Sequence, residues 1–294
     1  MDKKVKKNKR TRLLFQAAWT ALTNGYLYGF ISGKIYTGKT KDFCVPGLSC
    51  YSCPGALGSC PIGALQAQLN SPLSKIPFYA LGILIFFGSV FGRFVCGWLC
   101  PFGLIQDLLY KIPVFKKKKN LPGDRKLRWL KYVVLVLFVI LLPLLDTDDA
   151  GSGKPYYCEY ICPSGTLFGG IPLVTVNSGL RDSIGGRFWW KIGLLIIILV
   201  ACIKVYRPFC KYLCPLGACY SLFNPVAIYR YKLNKDKCTG CGACVSICKM
   251  GVDPCKNVNS PECIRCGDCL KGCPAQAIEK YNPFKGLAKE SSHE

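Results

Sequence analysis

Two cysteine runs near the C-terminus share one spacing, which gathers several thiols in a tight loop. Each run reads C-x2-C-x2-C-x3-C, and the second begins 25 residues after the first. Such a run supplies three thiolates to one 4Fe–4S cluster, while its fourth cysteine reaches the other cluster of the pair. We therefore predict two clusters with crossed ligation, one on Cys238, Cys241, Cys244 and Cys273 and the other on Cys263, Cys266, Cys269 and Cys248.

A structural zinc site is the main alternative for these runs. Zinc knuckles pair two C-x2-C knots and need neither a third cysteine nor a fourth one after three more residues. Glycines within the runs let the backbone approach inorganic sulfide without a Cβ clash, namely Gly240, Gly242, Gly267 and Gly272. Iron–sulfur ligation accounts better for the duplicated spacing, so the chain is predicted to carry electrons.

The rest of the composition leaves cysteine as the only abundant metal ligand. The 294 residues include 21 cysteines, two methionines and a single histidine, His293. Bis-histidine haem, Rieske centres and histidine-based zinc sites all need imidazoles that this chain lacks. Covalent c-type haem is also excluded, because no C-x-x-C-H occurs.

Charge and hydropathy together indicate a membrane protein. Apolar residues make up 51% of the chain although the net charge is +23. The basic residues stand at the ends of apolar runs and are not interleaved with aromatic residues on a soluble face, so nucleic-acid binding is not expected. Basic cytoplasmic segments flanking membrane spans fit this pattern.

Four stretches can cross a bilayer of roughly 30 Å, which needs about 20 mostly apolar residues. They are residues 13–31, 76–95, 130–145 and 188–206. Lysine and arginine are dense before the first stretch and between the second and third, so both termini are predicted to be cytoplasmic. The N-terminal segment is not expected to be cleaved, because it lacks an evident small-residue cleavage site.

A repeat becomes visible once these stretches are assigned. Each half of residues 1–228 has a span, an outer cysteine motif, a span and an inner cysteine motif. The inner motifs are Cys96-x3-Cys100 and Cys210-x3-Cys214, and the outer motifs contain Cys50, Cys53 and Cys60 in the first half and Cys158-x3-Cys162 in the second. C-P-x-G occurs in all four motifs.

These observations define the predicted fold. It is an α-helical multi-pass membrane protein with four spans and two pseudo-repeats, followed by an α+β double-cluster ferredoxin domain. The membrane domain is predicted over residues 1–228, the ferredoxin domain over 229–283 and a polar tail over 284–294.

The membrane-domain cysteines could bind one or two further clusters. In C-x3-C-P both thiols lie one helical turn apart on the same side, the proline redirects the chain and the glycine permits a turn. Two pairs together supply the four thiolates of a cubane. The predicted inner set is Cys96, Cys100, Cys210 and Cys214, and the predicted outer set is Cys53, Cys60, Cys158 and Cys162, since Cys53 and Cys60 precede prolines.

Other interpretations of these residues stay open. With Cys44, the outer cysteines number six and could form three disulfides, and the inner pairs could serve thiol chemistry or packing. Cys202, Cys219 and Cys255 are expected to be packing residues or spares. Arg93 and Arg207, three residues before the inner pairs, could snorkel to the interface or compensate the charge of an anionic cluster.

Three features together resemble the membrane polyferredoxins. They are G-R-x-x-C-G-W-x-C-P-x-G over residues 92–103, R-P-x-C-x3-C-P-x-G-A over 207–218 and the double ferredoxin run. Proteins of this family accompany periplasmic nitrate reductase and nitrous-oxide reductase, and copper-handling proteins of oxidase assembly are related to them. The resemblance implies a multi-pass protein of the bacterial cytoplasmic membrane that binds 4Fe–4S clusters. The cysteine-rich segment 44–60 departs from the family pattern, and the outer flavin domain that the nitrous-oxide-associated members carry is not expected here.

The function predicted from the sequence is electron relay between a cytoplasmic ferredoxin- or flavodoxin-like donor and an extracytoplasmic flavin or cytochrome partner. An alternative is a quinol dehydrogenase subunit, although the spans carry no histidine and no central carboxylate for proton transfer. A copper-handling assembly factor is a third, weakened by the lack of a Met-rich segment. Besides redox partners, contact with anionic membrane lipid is expected at Lys116–Lys119.

Overall fold

The chain is described by a computed structural model over residues 3–69, 78–146 and 153–281. It is mostly helical. Residues 76–77 of the predicted second span, part of the acidic segment after residue 146, and the predicted tail lie outside the described residues. In the first half the helices are Lys3–Thr23, Leu27–Ser32, Pro61–Gln68, Phe78–Phe91, Phe94–Trp98 and Pro101–Leu109.

The second half repeats this order of a long helix followed by short ones. A continuous helix runs from Asp124 to Leu145, with a π-helical segment at Leu135–Leu141. It is followed by Tyr156–Tyr160, by the contiguous helical segments Pro163–Gly165, Thr166–Gly170 and Ile171–Val176, and by Ser178–Asp182, Gly186–Lys204, Pro208–Tyr212 and Pro215–Phe223.

Among the described residues, two helices are long and apolar enough to cross a membrane. Asp124–Leu145 has 22 residues and Gly186–Lys204 has 19, and they coincide with the third and fourth predicted spans. The described part of the second span, Phe78–Phe91, is apolar but has 14 residues. The first span is interrupted after Thr23, where a Cβ on Gly25 would lie 2.3 Å from the Ala21 carbonyl oxygen.

All four C-P-x-G motifs begin a helix in the same way. The cysteine is the N-cap and the proline takes the first helical position, where its missing N–H costs nothing because that group has no intrahelical partner. The glycine consequently lies inside the first helical turn. This differs from the expectation that the glycine makes a turn, and its role must come from its neighbours.

The C-terminal domain has the predicted α+β character. Strands Tyr231–Leu233 and Ile278–Lys280 pair antiparallel, with Tyr231 opposite Lys280. Between them lie the helices Ala243–Ile247 and Asp268–Gly272, each of which follows the loop of one cysteine run. Gly242 and Gly267 cap these helices with φ of 68° and 80°, a left-handed conformation that favours glycine.

The main hydrophobic core continues from the helical domain into the ferredoxin domain. It includes Met250, Val252 and Ile264 together with residues of the inner motifs such as Phe102 and Phe209. A smaller core around Tyr231 and Ile278 belongs to the ferredoxin domain alone. The domain boundary predicted at residue 228 therefore lies within a continuously packed region.

Candidate iron–sulfur sites

The two cysteine runs form two separate groups of thiols. One small cavity is lined by Cys238, Cys241, Cys244 and Cys273, and another by Cys248, Cys263, Cys266 and Cys269. Each group thus combines three cysteines of one run with the last cysteine of the other. The backbone N–H of Ala277 donates to the Cys273 sulfur at 3.4 Å.

Cys255, expected to be a spare, lies beside the first of these groups. It lines the same cavity, and its sulfur is 3.3 Å from that of Cys244. The first group therefore has a fifth thiol at its edge, which the C-x2-C-x2-C-x3-C spacing does not indicate.

The four cysteines of the inner motifs are buried together, each at most 5% exposed. Cys96 and Cys210 lie within short helices, while Cys100 and Cys214 cap the helices that follow. Burial, and after it the nearby thiols of Cys210, Cys96 and Cys100, raises the pKa of Cys214. The predicted inner set is therefore brought together from both halves of the domain.

The outer motifs form a second group with one difference from the predicted set. A cavity of about 590 Å³ is lined by Cys50, Cys60, Cys158 and Cys162. Burial, followed by the thiols of Cys162, Cys60 and Cys50, raises the pKa of Cys158. Cys53 does not line this cavity; it is fully buried, and its carbonyl accepts a hydrogen bond from Lys41 Nζ at 3.3 Å.

All 21 cysteines lie in the described part of the chain, and none of them is paired in a disulfide. The three disulfides considered for the outer motifs are not formed. The donor chemistry of each group suits an iron–sulfur cluster, since each group brings four cysteine sulfurs together. In the helical domain, Gly165 N–H donates to Cys162 Sγ at 3.4 Å and Gly217 N–H donates to Cys214 Sγ at 3.3 Å.

Across residues 3–69, 78–146 and 153–281, no three Cys, His, Asp or Glu side chains converge closely enough to hold a single metal ion. In a cubane each thiolate binds a different iron, so its four ligands surround a volume and do not meet at a point. When bound, a 4Fe–4S cluster accepts and releases one electron at a time.

The arginine that precedes each inner motif binds the backbone of the other inner motif. Arg93 donates to the carbonyl of Cys210 at 2.8 Å, and Arg207 donates to the carbonyl of Cys96. Both side chains are 0% exposed, so the snorkelling interpretation is wrong, because a snorkelling arginine keeps its charged end in water. These contacts tie each inner motif to the first cysteine of the other half.

These contacts explain the glycine of C-P-x-G in the inner motifs. A Cβ on Gly103 would lie 3.1 Å from the Cys96 carbonyl oxygen and 3.3 Å from Arg207 Nη1, and one on Gly217 would lie 3.3 Å from the Cys210 carbonyl oxygen and 3.4 Å from Arg93 Nη2. The glycine therefore leaves room for the carbonyl of the motif's first cysteine and for the arginine that binds it.

Asp107 neutralises the arginine of the second half. Its carboxylate accepts from Arg207 Nε at 2.8 Å and from Arg12 Nη2 at 2.9 Å. Burial by itself raises the pKa of Asp107, but the two guanidinium groups outweigh burial and hold the pKa below its ordinary value. Removing one partner of such a buried ion pair strongly destabilises the folded protein, because the remaining charge is buried without compensation.

Glu262, a residue of the ferredoxin domain, neutralises Arg93, the arginine of the first half. It immediately precedes Cys263 and accepts from Arg93 at 2.8 Å and from Lys131. Asn8 of the N-terminal helix also contacts this domain, donating to the Cys266 carbonyl at 3.0 Å. The sequence gives no local signal for these contacts; the only hint is that a carboxylate, Glu262, stands directly before the first cysteine of the second run.

A family profile described as a 4Fe-4S binding domain matches residues 76–122, 130–173 and 187–234. Each of these segments contains one C-x3-C-P motif. A second profile with the same description matches residues 231–252, which hold the first cysteine run.

Among curated proteins, an uncharacterized protein of Methanocaldococcus jannaschii is 30% identical over 213 residues, which are 70% of this chain and 79% of the relative. The methylamine utilization ferredoxin-type protein MauN of Paracoccus denitrificans is 30% identical over 58% of this chain and 52% of its own length. YccM of Escherichia coli, named for electron transport, is 23% identical over 81% of this chain and 67% of its own length. The chain thus spans about half of MauN.

No solved structure matches the chain significantly. The thiol groups, the matched cluster-binding segments and the ferredoxin-type relatives agree with one another. The chain belongs to the polyferredoxin family and is an iron–sulfur electron-transfer protein.

Proposed function

We propose that this protein relays electrons across the cytoplasmic membrane, from a cytoplasmic donor of the ferredoxin or flavodoxin type to an extracytoplasmic flavin or haem protein. The observation that carries the proposal is the series of four thiol groups, two in the ferredoxin domain and two in the helical domain. Arg93 joins the inner group to the loop of the second cysteine run. Several short hops between such groups replace one jump across the low-dielectric core.

Each group is proposed to hold one 4Fe–4S cluster. The ferredoxin clusters are held by the two crossed sets and the inner cluster by Cys96, Cys100, Cys210 and Cys214. For the outer cluster we propose Cys50 in place of Cys53, which gives the set Cys50, Cys60, Cys158 and Cys162 that lines one cavity. The protein's own residues bury the thiols, supply N–H donors to sulfur and compensate charge.

Four spans with both termini in the cytoplasm are part of this proposal. In support, the N-terminal helix contacts the ferredoxin domain through Asn8. This contact requires the start of the chain and the ferredoxin domain to lie on the same side of the membrane. Reporter fusions after Lys41, Lys118, Lys154 and Glu294 should read outside, inside, outside and inside. A fusion at Lys118 that reads outside would overturn the assignment of the inner and outer motifs to their faces.

Electron transfer across a closed membrane tests the relay directly. The full chain is reconstituted into vesicles that enclose cytochrome c, and a reduced ferredoxin is added outside under anaerobic conditions. We expect the enclosed haem to be reduced much faster than in protein-free vesicles, because molecules with the ferredoxin domain outward accept electrons and pass them inward.

Two variants make this experiment specific. Cys162→Ala should abolish haem reduction because the outer cluster loses a ligand, whereas Cys219→Ala should retain it because Cys219 lies outside all four thiol groups. Equal rates of haem reduction in vesicles with and without the wild-type protein would contradict the proposed transmembrane relay.

A further inference from the structure

Two glutamines occupy equivalent positions in the first half of the pseudo-repeat. Gln66 is six residues after Cys60 and Gln106 is six residues after Cys100, each on the helix that begins with its C-P-x-G motif. Both side chains are 0% exposed. The second-half motifs have Phe168 and Tyr220 at the corresponding positions, so the glutamines are a property of one half.

Each glutamine donates a hydrogen bond to a thiol of the opposite half. Gln66 Nε2 is 3.4 Å from Cys158 Sγ, and Gln106 Nε2 is 3.1 Å from Cys210 Sγ. Cys158 and Cys210 are themselves equivalent, because each is the first cysteine of a second-half C-x3-C pair. The same contact therefore occurs once in the outer group and once in the inner group.

Neighbouring groups fix which end of each amide faces sulfur. The backbone N–H of Tyr157 donates to Gln66 Oε1 at 2.9 Å, and the backbone carbonyl of Phe102 accepts from Gln106 Nε2 at 3.5 Å. A carbonyl can only accept, so the NH2 group of Gln106 must face Phe102 and Cys210. A backbone N–H can only donate, so the Gln66 oxygen must face Tyr157 and its NH2 group must face Cys158. Gln66 Nε2 also donates to the Ile62 carbonyl at 3.1 Å, which holds the side chain along its own helix.

We propose that Gln66 and Gln106 are a matched pair of hydrogen-bond donors that raise the reduction potentials of the outer and the inner cluster, respectively. This inference rests on the proposed ligation of those clusters. A cluster gains one negative charge when it accepts an electron, and an N–H group directed at a ligand sulfur stabilises the more negative state. The effect is strengthened by burial, because a low local dielectric increases the strength of the hydrogen bond.

The expected magnitude is measurable. The hydrogen bond exists in both redox states, so only its strengthening on reduction shifts the potential; we take this as about tenfold in an equilibrium constant, the low end of what a hydrogen bond to a charged group contributes. For a one-electron couple, tenfold corresponds to about 59 mV. Since the two donors are equivalent, they shift both potentials in the same direction and leave the difference between the two clusters nearly unchanged.

The test is an anaerobic redox titration of the full-length protein, followed by electron paramagnetic resonance. The inner centre is identified as the signal that is lost in Cys96→Ala, and the outer centre as the one lost in Cys162→Ala. Gln106→Met should lower the midpoint of the inner centre alone by about 59 mV, and Gln66→Met that of the outer centre alone. Methionine keeps the length of the side chain and removes the donor.

The control is Gln16→Met, since Gln16 is also 0% exposed but has no hydrogen-bond partner among the described residues. It should move neither midpoint. If a methionine variant does not assemble its centre, the isosteric Gln→Glu variant at the same position is titrated instead. Its carboxylate should lower the midpoint of that centre by more than the shift expected for the methionine variant.

The outcomes separate this inference from the proposed function. Intact centres with unshifted midpoints in the methionine variants would overturn the role of the glutamines and leave the clusters in place. A wild-type protein that shows only the ferredoxin centres would overturn the proposed ligation itself. Equal shifts of both centres in one single variant would contradict the assignment of one glutamine to each cluster.

Discussion

Replacing either Cys96 or Cys210 with alanine should remove the same spectroscopic centre and leave the ferredoxin centres intact. The two residues belong to different halves of the chain, yet the structure buries them in one group with Cys100 and Cys214. Two thiolates from one half cannot complete a cubane, so the loss of either side leaves the cluster without a full ligand set. Iron and sulfide per protein, measured after anaerobic purification, should each fall by about four, one cluster's worth.

The double variant extends this prediction. Cys96→Ala combined with Cys210→Ala should cost no more iron than either single change, because members of one site fail together and their effects are not additive. Cys202→Ala is a suitable control, since that residue is equally buried but lies outside the inner motifs. Unchanged iron in both single variants would defeat the joint cluster and assign the inner cysteines to packing or thiol chemistry.

Cys273→Ala should remove the cluster of the first cysteine run, although Cys273 belongs to the second run. The structure places it at the cavity that Cys238, Cys241 and Cys244 line. The expected result is the loss of one of the two ferredoxin centres and of about four irons per chain, with the other ferredoxin centre unshifted. Cys248→Ala should remove the other centre in the same way, because Cys248 lies with Cys263, Cys266 and Cys269.

Cys255→Ala is the matched control for this pair of variants. Cys255 lines the first cavity at its edge, but crossed ligation already supplies four thiolates there without it. Both ferredoxin centres should persist in Cys255→Ala. Loss of a centre in this variant, together with its retention in Cys273→Ala, would mean that Cys255 is the fourth ligand and that the runs are not crossed.

The spacing of cysteines along the chain predicts three of the four thiol groups. The two ferredoxin runs and the two inner C-x3-C pairs are regular enough to indicate which cysteines belong together, and the structure places their thiols in the same groups. Cys50 and Cys53 were not distinguishable in this way. The proline after Cys53 suggested a C-P motif like the others, but the fold of the outer loop places Cys50 at the cavity and Cys53 against Lys41.

The residues that escaped prediction act across long stretches of chain. Arg93 reaches residues 117 and 169 positions away, and Gln66 and Gln106 reach cysteines 92 and 104 positions away. Hydrophobic periodicity and motif spacing describe neighbours along one helix, so they carry no information on such partners. A comparison of the two C-P-x-G helices of the first half would have shown the shared glutamine, but its partner becomes clear only when both halves are packed together.

Arg93 has one further consequence, which concerns motion. Its guanidinium binds the Cys210 carbonyl of the helical domain and, on the other side, Glu262 and the Pro261 carbonyl of the ferredoxin domain. A domain clamped in this way, and sharing the main core, cannot act as a swinging carrier that collects an electron in one position and delivers it in another. We therefore expect the separation between the ferredoxin and inner thiol groups to stay constant, so that electron passage between them does not slow in viscous solvent.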